Sequence, residues 1–136
     1  MGEDVYTLEI SLGYQHRGIE KMLRGGPDKK TLHVMETVAG DTSTASAGAY
    51  CRILEALDPE SRVSARSEAI RAIAWELERI ANHIGDLGAL AGDVAYLPTA
   101  SYCGRIRGEF LNMTATICGN RFGRGLIVPG GVGFDI

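Results

Sequence analysis

Val63, Ile70, Leu77, Ile84 and Ala91 recur at every seventh position of this chain, and Ile73, Ile80 and Leu87 fall between them. Alternating steps of three and four return side chains to one face of an α-helix, so the spacing predicts a long helix whose apolar stripe must be covered by another element. Asp58-Pro59-Glu60 offers an N-cap, a first-turn proline and an acid suited to the positive end of the helix dipole, which sets the expected span from about Pro59 to about Asp93. A second helix, from about Pro98 to about Asn120, repeats the pattern with Ile106, Phe110, Met113 and Ile117. Only a few residues around Tyr96-Leu97-Pro98 join the two, which predicts an antiparallel hairpin.

The expected fold class is therefore mainly α, a helical bundle with a long antiparallel hairpin plus a small β element. A shorter helix is expected from about Thr42 to Leu57, with Asp41-Thr42-Ser43 as capping residues, and Gly26-Pro27-Asp28 has the form of another helix start. Gly85, Gly88 and Gly92 on the first long helix and Gly104 and Gly108 on the second each cost about 0.8–1 kcal/mol of helix propensity relative to Ala. That cost points to close backbone approach between the two helices. Residues 5–12 alternate apolar with polar over most of their length and are rich in β-formers, which predicts a strand; Leu126-Ile127-Val128 before Pro129-Gly130-Gly131 is a second short candidate.

At 136 residues the chain is the size of one domain, given that domains cluster at roughly 100–150 residues, and residues 1–136 are read as a single, partial one. Its net charge of −3 argues against a nucleic-acid partner, which would call for a basic patch. No direct membrane span is expected, because Asp86, Asp93, Arg105 and Arg107 break up the most apolar region. Three cysteines cannot all pair, and no basic-then-apolar leader opens the chain, so a reducing, cytoplasmic setting is expected.

The residues with chemical potential form no recognisable dyad. Cys51, Cys103 and Cys118 show no Cys-x-x-Cys spacing and read as structural thiols. His83 sits in a neighbourhood of mixed charge, with Glu76 seven residues back and Arg79 four back, and reads as a hydrogen-bonding group on the helix face more than as a metal ligand. Arg71, Glu76, Glu78, Arg79 and Asp86 read as interhelical or solvated charge pairs, worth about 0.2–1 kcal/mol when exposed. Gly119-Asn120-Arg121-Phe122-Gly123-Arg124-Gly125 follows a helix instead of opening one and lacks a Lys-Ser/Thr ending, so it is not a P-loop. Polar and titratable groups gather where the backbone turns, which makes His16, Arg17 and Glu20 the first candidates for a partner-facing surface, with Arg121 and Arg124 second. No catalytic, cofactor-binding or metal-binding residue is assigned.

Several ordered segments resemble a known family. They are Leu12-Gly13-Tyr14-Gln15-His16-Arg17-Gly18-Ile19-Glu20-Lys21, Ala49-Tyr50-Cys51-Arg52-Ile53-Leu54-Glu55-Ala56-Leu57, Glu76-Leu77-Glu78-Arg79-Ile80-Ala81-Asn82-His83-Ile84-Gly85-Asp86-Leu87-Gly88 and Arg121-Phe122-Gly123-Arg124-Gly125-Leu126-Ile127-Val128-Pro129-Gly130-Gly131-Val132. Together they resemble the large subunit of energy-converting, membrane-bound nickel-iron hydrogenases and, more distantly, the quinone-site subunit of respiratory complex I. Gly123 stands where complex I carries a His near its terminal iron-sulfur cluster, so the hydrogenase side fits better. Against the Cys-Gly-x-Cys of a true nickel-iron enzyme this chain has Ala39 and Thr42 at the cysteine positions, and Ser46 where a His follows. A methyl and a neutral hydroxyl cannot replace soft thiolates, so the metal pair is expected to be absent.

The resemblance implies a setting as well as a fold. It implies a piece of a longer subunit in an oxidoreductase complex of the NADH dehydrogenase or formate hydrogenlyase type, in which electron transfer is coupled to ion translocation. The implied partners are an iron-sulfur small subunit and membrane subunits, with a quinone as a candidate acceptor and no cofactor in this chain itself. The implied location is peripheral, at the cytoplasmic face of the inner membrane. Surfaces that such a subunit would cover should be left exposed, so the isolated chain is expected to form a homo-oligomer or bind a hydrophobic dye. A structural docking subunit without redox chemistry and an unrelated helical interaction module are the alternatives.

Overall fold

A computed structural model describes residues 4–136; residues 1–3, part of the opening stretch read for a leader, lie outside the described residues. Five helices follow one another: α1 Ile19–Met22, α2 Thr31–Met35, α3 Ser43–Leu57, α4 Ala65–Asp93 and α5 Leu97–Cys118. A two-stranded antiparallel ribbon, β1 Ile127–Val128 with β2 Gly131–Val132, closes the chain order. The chain is mainly helical with a small β element, as the apolar spacing requires.

The hairpin of α4 and α5 dominates the packing. A Cβ added at Gly85 would lie 3.0 Å from Arg107 Nε, and one at Gly88 would lie 2.9 Å from Cys103 Cβ. The earlier residue of α4 thus meets the later residue of α5, so the helices run antiparallel, and these two glycines are where they come closest. The same explanation fails for Gly92 and Gly104, which face open space. Burial on α4 follows Ile70, Ala74 and Ala81, while Ile73 and Leu87 of the expected stripe are exposed. Ile70 and Ala74 pack into the core with Ala47 and Cys51 of α3, while Gly85 and Gly88 take the close contact with α5.

Three local expectations need correction. The strand read over residues 5–12 has no regular structure, and Leu8 and Ile10 are exposed. Alternation prepares a segment for a sheet, but an extended backbone needs a partner, and none pairs with it among the described residues. The β element is instead the second candidate: Ile127 pairs with Val132 and Val128 with Gly131 across Pro129-Gly130, with Gly130 at a φ of 83°.

Helix α4 begins at Ala65 and not at Pro59. Asp58 spends its side chain inside a turn, where Oδ1 accepts from the Glu60 N–H at 3.1 Å, and Ser64 becomes the true N-cap, accepting from the Ser67 N–H at 3.1 Å. Thr42 does not cap α3 with its side chain; that role falls to a carboxylate from α4, described below.

The core is small. Ala47 and Cys51 of α3 meet Ile70 and Ala74 of α4, Cys118 of α5, and Leu126 and Ile127 at the ribbon, with Leu32, Trp75, Ile117 and Val132 around them.

Candidate functional site

The segment that joins α2 to α3, residues 37–42, carries the positions at which the sequence departs from its resemblance, and the rest of the fold builds a polar cradle around it. At its first end Arg17 Nη2 donates to the Val38 carbonyl at 2.5 Å. Residues 14–17 and 38–40 border an open cavity of about 660 Å³ there. At its second end Asn82 Nδ2 of α4 donates to the Asp41 carbonyl at 2.7 Å, and Arg107 Nη2 of α5 lies 3.4 Å from Asp41 Oδ1. Ala39 and Asp41 are exposed, and Thr42 Oγ1 lies 3.3 Å from Ser46 Oγ.

Glu78 reaches from α4 to the first turn of α3. Its Oε2 accepts from the Thr44 N–H at 2.7 Å and its Oε1 from the Ala45 N–H at 3.0 Å, satisfying two of the donors that a helix start leaves free. Burial pushes the Glu78 carboxyl above its usual range, against the opposing effect of those N–H groups and of the Thr44 hydroxyl. The side chain read from sequence as part of an interhelical or solvated charge pair is a cap that joins α4 to α3.

Two cavities meet at this point. An open cleft of about 300 Å³ lies between α4 and α5, bordered by Asp41, Asn82, Asp86 and Arg107 over a floor of Gly85, Gly88, Ala100 and Gly104. A smaller chamber of about 20 Å³ shares Asp41, Asn82 and Arg107 with it and is otherwise lined by Ser43, Thr44, Glu78, Leu111, Thr114, Arg121 and Phe122. The Ser43 and Thr44 hydroxyls are buried without a hydrogen-bond partner.

Two buried charges hold the frame. Arg71 is fully buried; Nη2 and Nη1 donate to the two Glu55 oxygens, Nη1 also donates to Glu68, and Nε and Nη2 donate to the Gly131 and Val128 carbonyls at 3.0 and 2.9 Å. Of the two readings its charge pattern offered, interhelical or solvated, it takes the interhelical one, pairing α4 with Glu55 of α3. Glu36 is also buried and accepts from the Gly125 N–H at 2.5 Å, which ties the loop after α5 to the end of α2. Glu76 and Arg79, by contrast, form the exposed pair on α4 that was expected. Cys51 and Cys118 are buried and all three thiols are free, with the Cys51 thiol pushed up to about 11 by desolvation.

The structure divides the partner-facing candidates. His16 and Arg17 border the 38–40 end of the cradle, and Arg121 lines the small chamber at the 41–44 end. Glu20 and Arg124 are exposed and border neither cavity. Among the described residues, no three His, Cys, Asp or Glu side chains are grouped so as to hold a metal ion. Gly123 is buried with a φ of 70°, and a Cβ there would lie 2.3 Å from Thr44 Cγ2, so the loop can pass this point only as glycine.

Comparison with known proteins places this arrangement. Over 135 residues, 99% of the chain, it is 33% identical to an NADH-quinone oxidoreductase subunit of Campylobacter curvus, covering 33% of that relative. It is 33% identical to the protein of the same name from Desulforamulus reducens, covering 37% of it. It is 28% identical to the alpha subunit of the membrane-bound hydrogenase of Pyrococcus furiosus, covering 31% of it. Over nearly its whole length the chain is similar to subunits of NADH-quinone oxidoreductase and of a membrane-bound hydrogenase. It spans about a third of the length of these curated relatives. No protein-family profile matches the chain, and no solved structure does.

Glu36 and Thr44, which help order the cradle, are residues the sequence pattern did not single out. Arg71 follows the buried Ile70 and lies next to the contact stripe, which is the one hint that its charge is buried. For Glu36 no local signal exists, because its partner lies 89 residues away, and the Thr44 N–H is met by Glu78 of α4, 34 residues on.

Proposed function

We propose that the chain is part of a subunit of a membrane-associated oxidoreductase complex in which electron transfer is coupled to ion translocation, and that it serves there without a nickel-iron site of its own. What carries the reading is the donor chemistry of the α2–α3 segment. Ala39 offers a methyl group, and Thr42 offers a hydroxyl lying beside Ser46, where a nickel-iron enzyme needs thiolates. The residues present do not fit the metal pair. The names of the relatives, which belong to quinone-reducing and membrane-bound hydrogenase assemblies, support the oxidoreductase setting.

In this reading an iron-sulfur small subunit faces His16, Arg17 and Glu20, with Arg121 and Arg124 as second candidates, and membrane subunits carry the ion path. A quinone is the acceptor that the complex I relatives favour. The position is peripheral on the cytoplasmic face; no helix among the described residues is long and apolar enough to cross a membrane. Arg17 also has a structural contact with Val38, so Arg17→Glu is compared with Arg17→Gln, which keeps hydrogen-bond donors but no charge. Charge reversal is expected to impair assembly and turnover of the intact complex far more than the neutral change. Equal, unimpaired assembly of both variants would return these residues to a local structural role.

A further inference from the structure

We propose that the small chamber between α3, α4 and α5 is a water site, in which one water held by Ser43 Oγ and Thr44 Oγ1 reaches the Glu78 carboxylate and connects it to the open cleft for proton exchange. The argument begins with the orphaned hydroxyls. Ser43 is 1% exposed and Thr44 2%, yet neither oxygen has a partner, and buried hydroxyls without partners are costly. Both line a chamber of about 20 Å³, and a single water needs roughly 10–15 Å³ on this scale. Leu111 and Phe122 form apolar parts of its wall, so bound water is the natural partner for the hydroxyls.

Glu78 gives that water a third polar contact. Both of its oxygens already accept from the start of α3, and its carboxylate has acceptor capacity left over. The Thr44 hydroxyl lies near enough to Glu78 to favour its charged form, but its geometry makes no well-formed hydrogen bond to the carboxylate. The groups that face this carboxyl from other elements are Asp41, whose like charge opposes ionisation, and Arg107 and Arg121, whose guanidinium groups border the chamber. Glu76, Arg79 and His83 of its own helix border a second groove, between α4 and the start of α3, which Glu78 and Asn82 also line. Asp41, Asn82 and Arg107 line both cavities, so the chamber adjoins solvent through them. A protonated Glu78 passes its proton to the water, and the water releases one of its protons to solvent in the cleft. The carboxylate is left ionised and the bound water neutral.

Ser43 tests the site cleanly because it does not act on Glu78 directly. If the chamber were dry, Ser43→Ala would only delete an unsatisfied buried hydroxyl and should leave stability unchanged or raise it. With the water in place it deletes a hydrogen bond, so the melting temperature should fall by about 2–5 °C. The Glu78 titration midpoint, read by carboxyl 13C NMR on the same chain, should rise as the water loses its anchor. A high-resolution crystal structure of the unsubstituted chain should show a water at about 2.7–3.2 Å from both hydroxyls. An empty chamber, an unchanged or raised melting temperature, or an unmoved Glu78 midpoint would overturn the proposal.

Discussion

Arg71 and Glu55 meet fork to fork, Nη2 to Oε1 at 2.6 Å and Nη1 to Oε2 at 3.0 Å, with the arginine side chain wholly out of solvent. The same guanidinium spends its remaining donors on Glu68 and on the carbonyls of Val128 and Gly131, while Glu55 also accepts from the Gly130 N–H. One ion pair therefore joins α3, α4 and the ribbon. Removing one partner leaves a buried charge unpaired, so Arg71→Met should cost about 3–5 kcal/mol in urea unfolding. Arg71→Met combined with Glu55→Met should cost less than Arg71→Met alone. A loss below about 1 kcal/mol for the single variant would mean that the pair does not hold the ribbon.

The same pair sets an acid limit on stability. The Arg71 hydrogen bonds hold the Glu55 carboxyl below its usual range, against the effect of burial. A carboxylate whose folded value is depressed contributes stability that is complete above the unfolded value, about 4.3, and that is lost as pH falls through the folded value. Urea unfolding at steps from pH 6 to pH 3 should show this decline, and Glu55→Gln should flatten it. A Glu55→Gln variant with an unchanged acid slope would assign the slope to other carboxylates.

Gly123→Ala should destabilise the chain by about 2–4 kcal/mol, since a positive φ and an overpacked contact add. The clash is with one methyl group, Thr44 Cγ2. Thr44→Ser removes that methyl and should recover the packing part of the loss, leaving the backbone strain. Thermal unfolding of the two single variants and the double variant measures this coupling; strict additivity would contradict the contact.

The tip of the hairpin leaves Leu87, Leu90, Val94 and Leu97 exposed, each by 60% or more. The chain should therefore bind a hydrophobic dye, and Leu90→Glu with Val94→Ser should reduce the signal without changing the helical content seen by circular dichroism. Dye binding that ignores these substitutions would move the apolar surface elsewhere.

How far the sequence reveals this fold depends on how local each cause is. The long helices are legible because their periodicity lies within the segment, and the Pro129-Gly130 turn is legible because it uses residues that few other backbones need. The start of α4 is not, because the Asp58-Pro59-Glu60 signal is used for a turn and the cap falls six residues later, on Ser64. The alternation over residues 5–12 is also plain in the sequence, but whether it becomes a strand depends on a partner that alternation does not encode. At the candidate site the substitution of Ala39 and Thr42 is visible from residue identity alone. The capping of α3 by Glu78 and the burial of Arg71 are not, since each depends on which elements meet in space.

The absence of a nickel-iron site is tested most directly by measuring the nickel and iron content of the intact subunit, purified without an affinity tag and free of any associated protein. Without thiolates at Ala39 and Thr42 the subunit should contain no stoichiometric nickel and should neither take up nor evolve hydrogen. Stoichiometric nickel accompanied by hydrogen turnover would contradict the account.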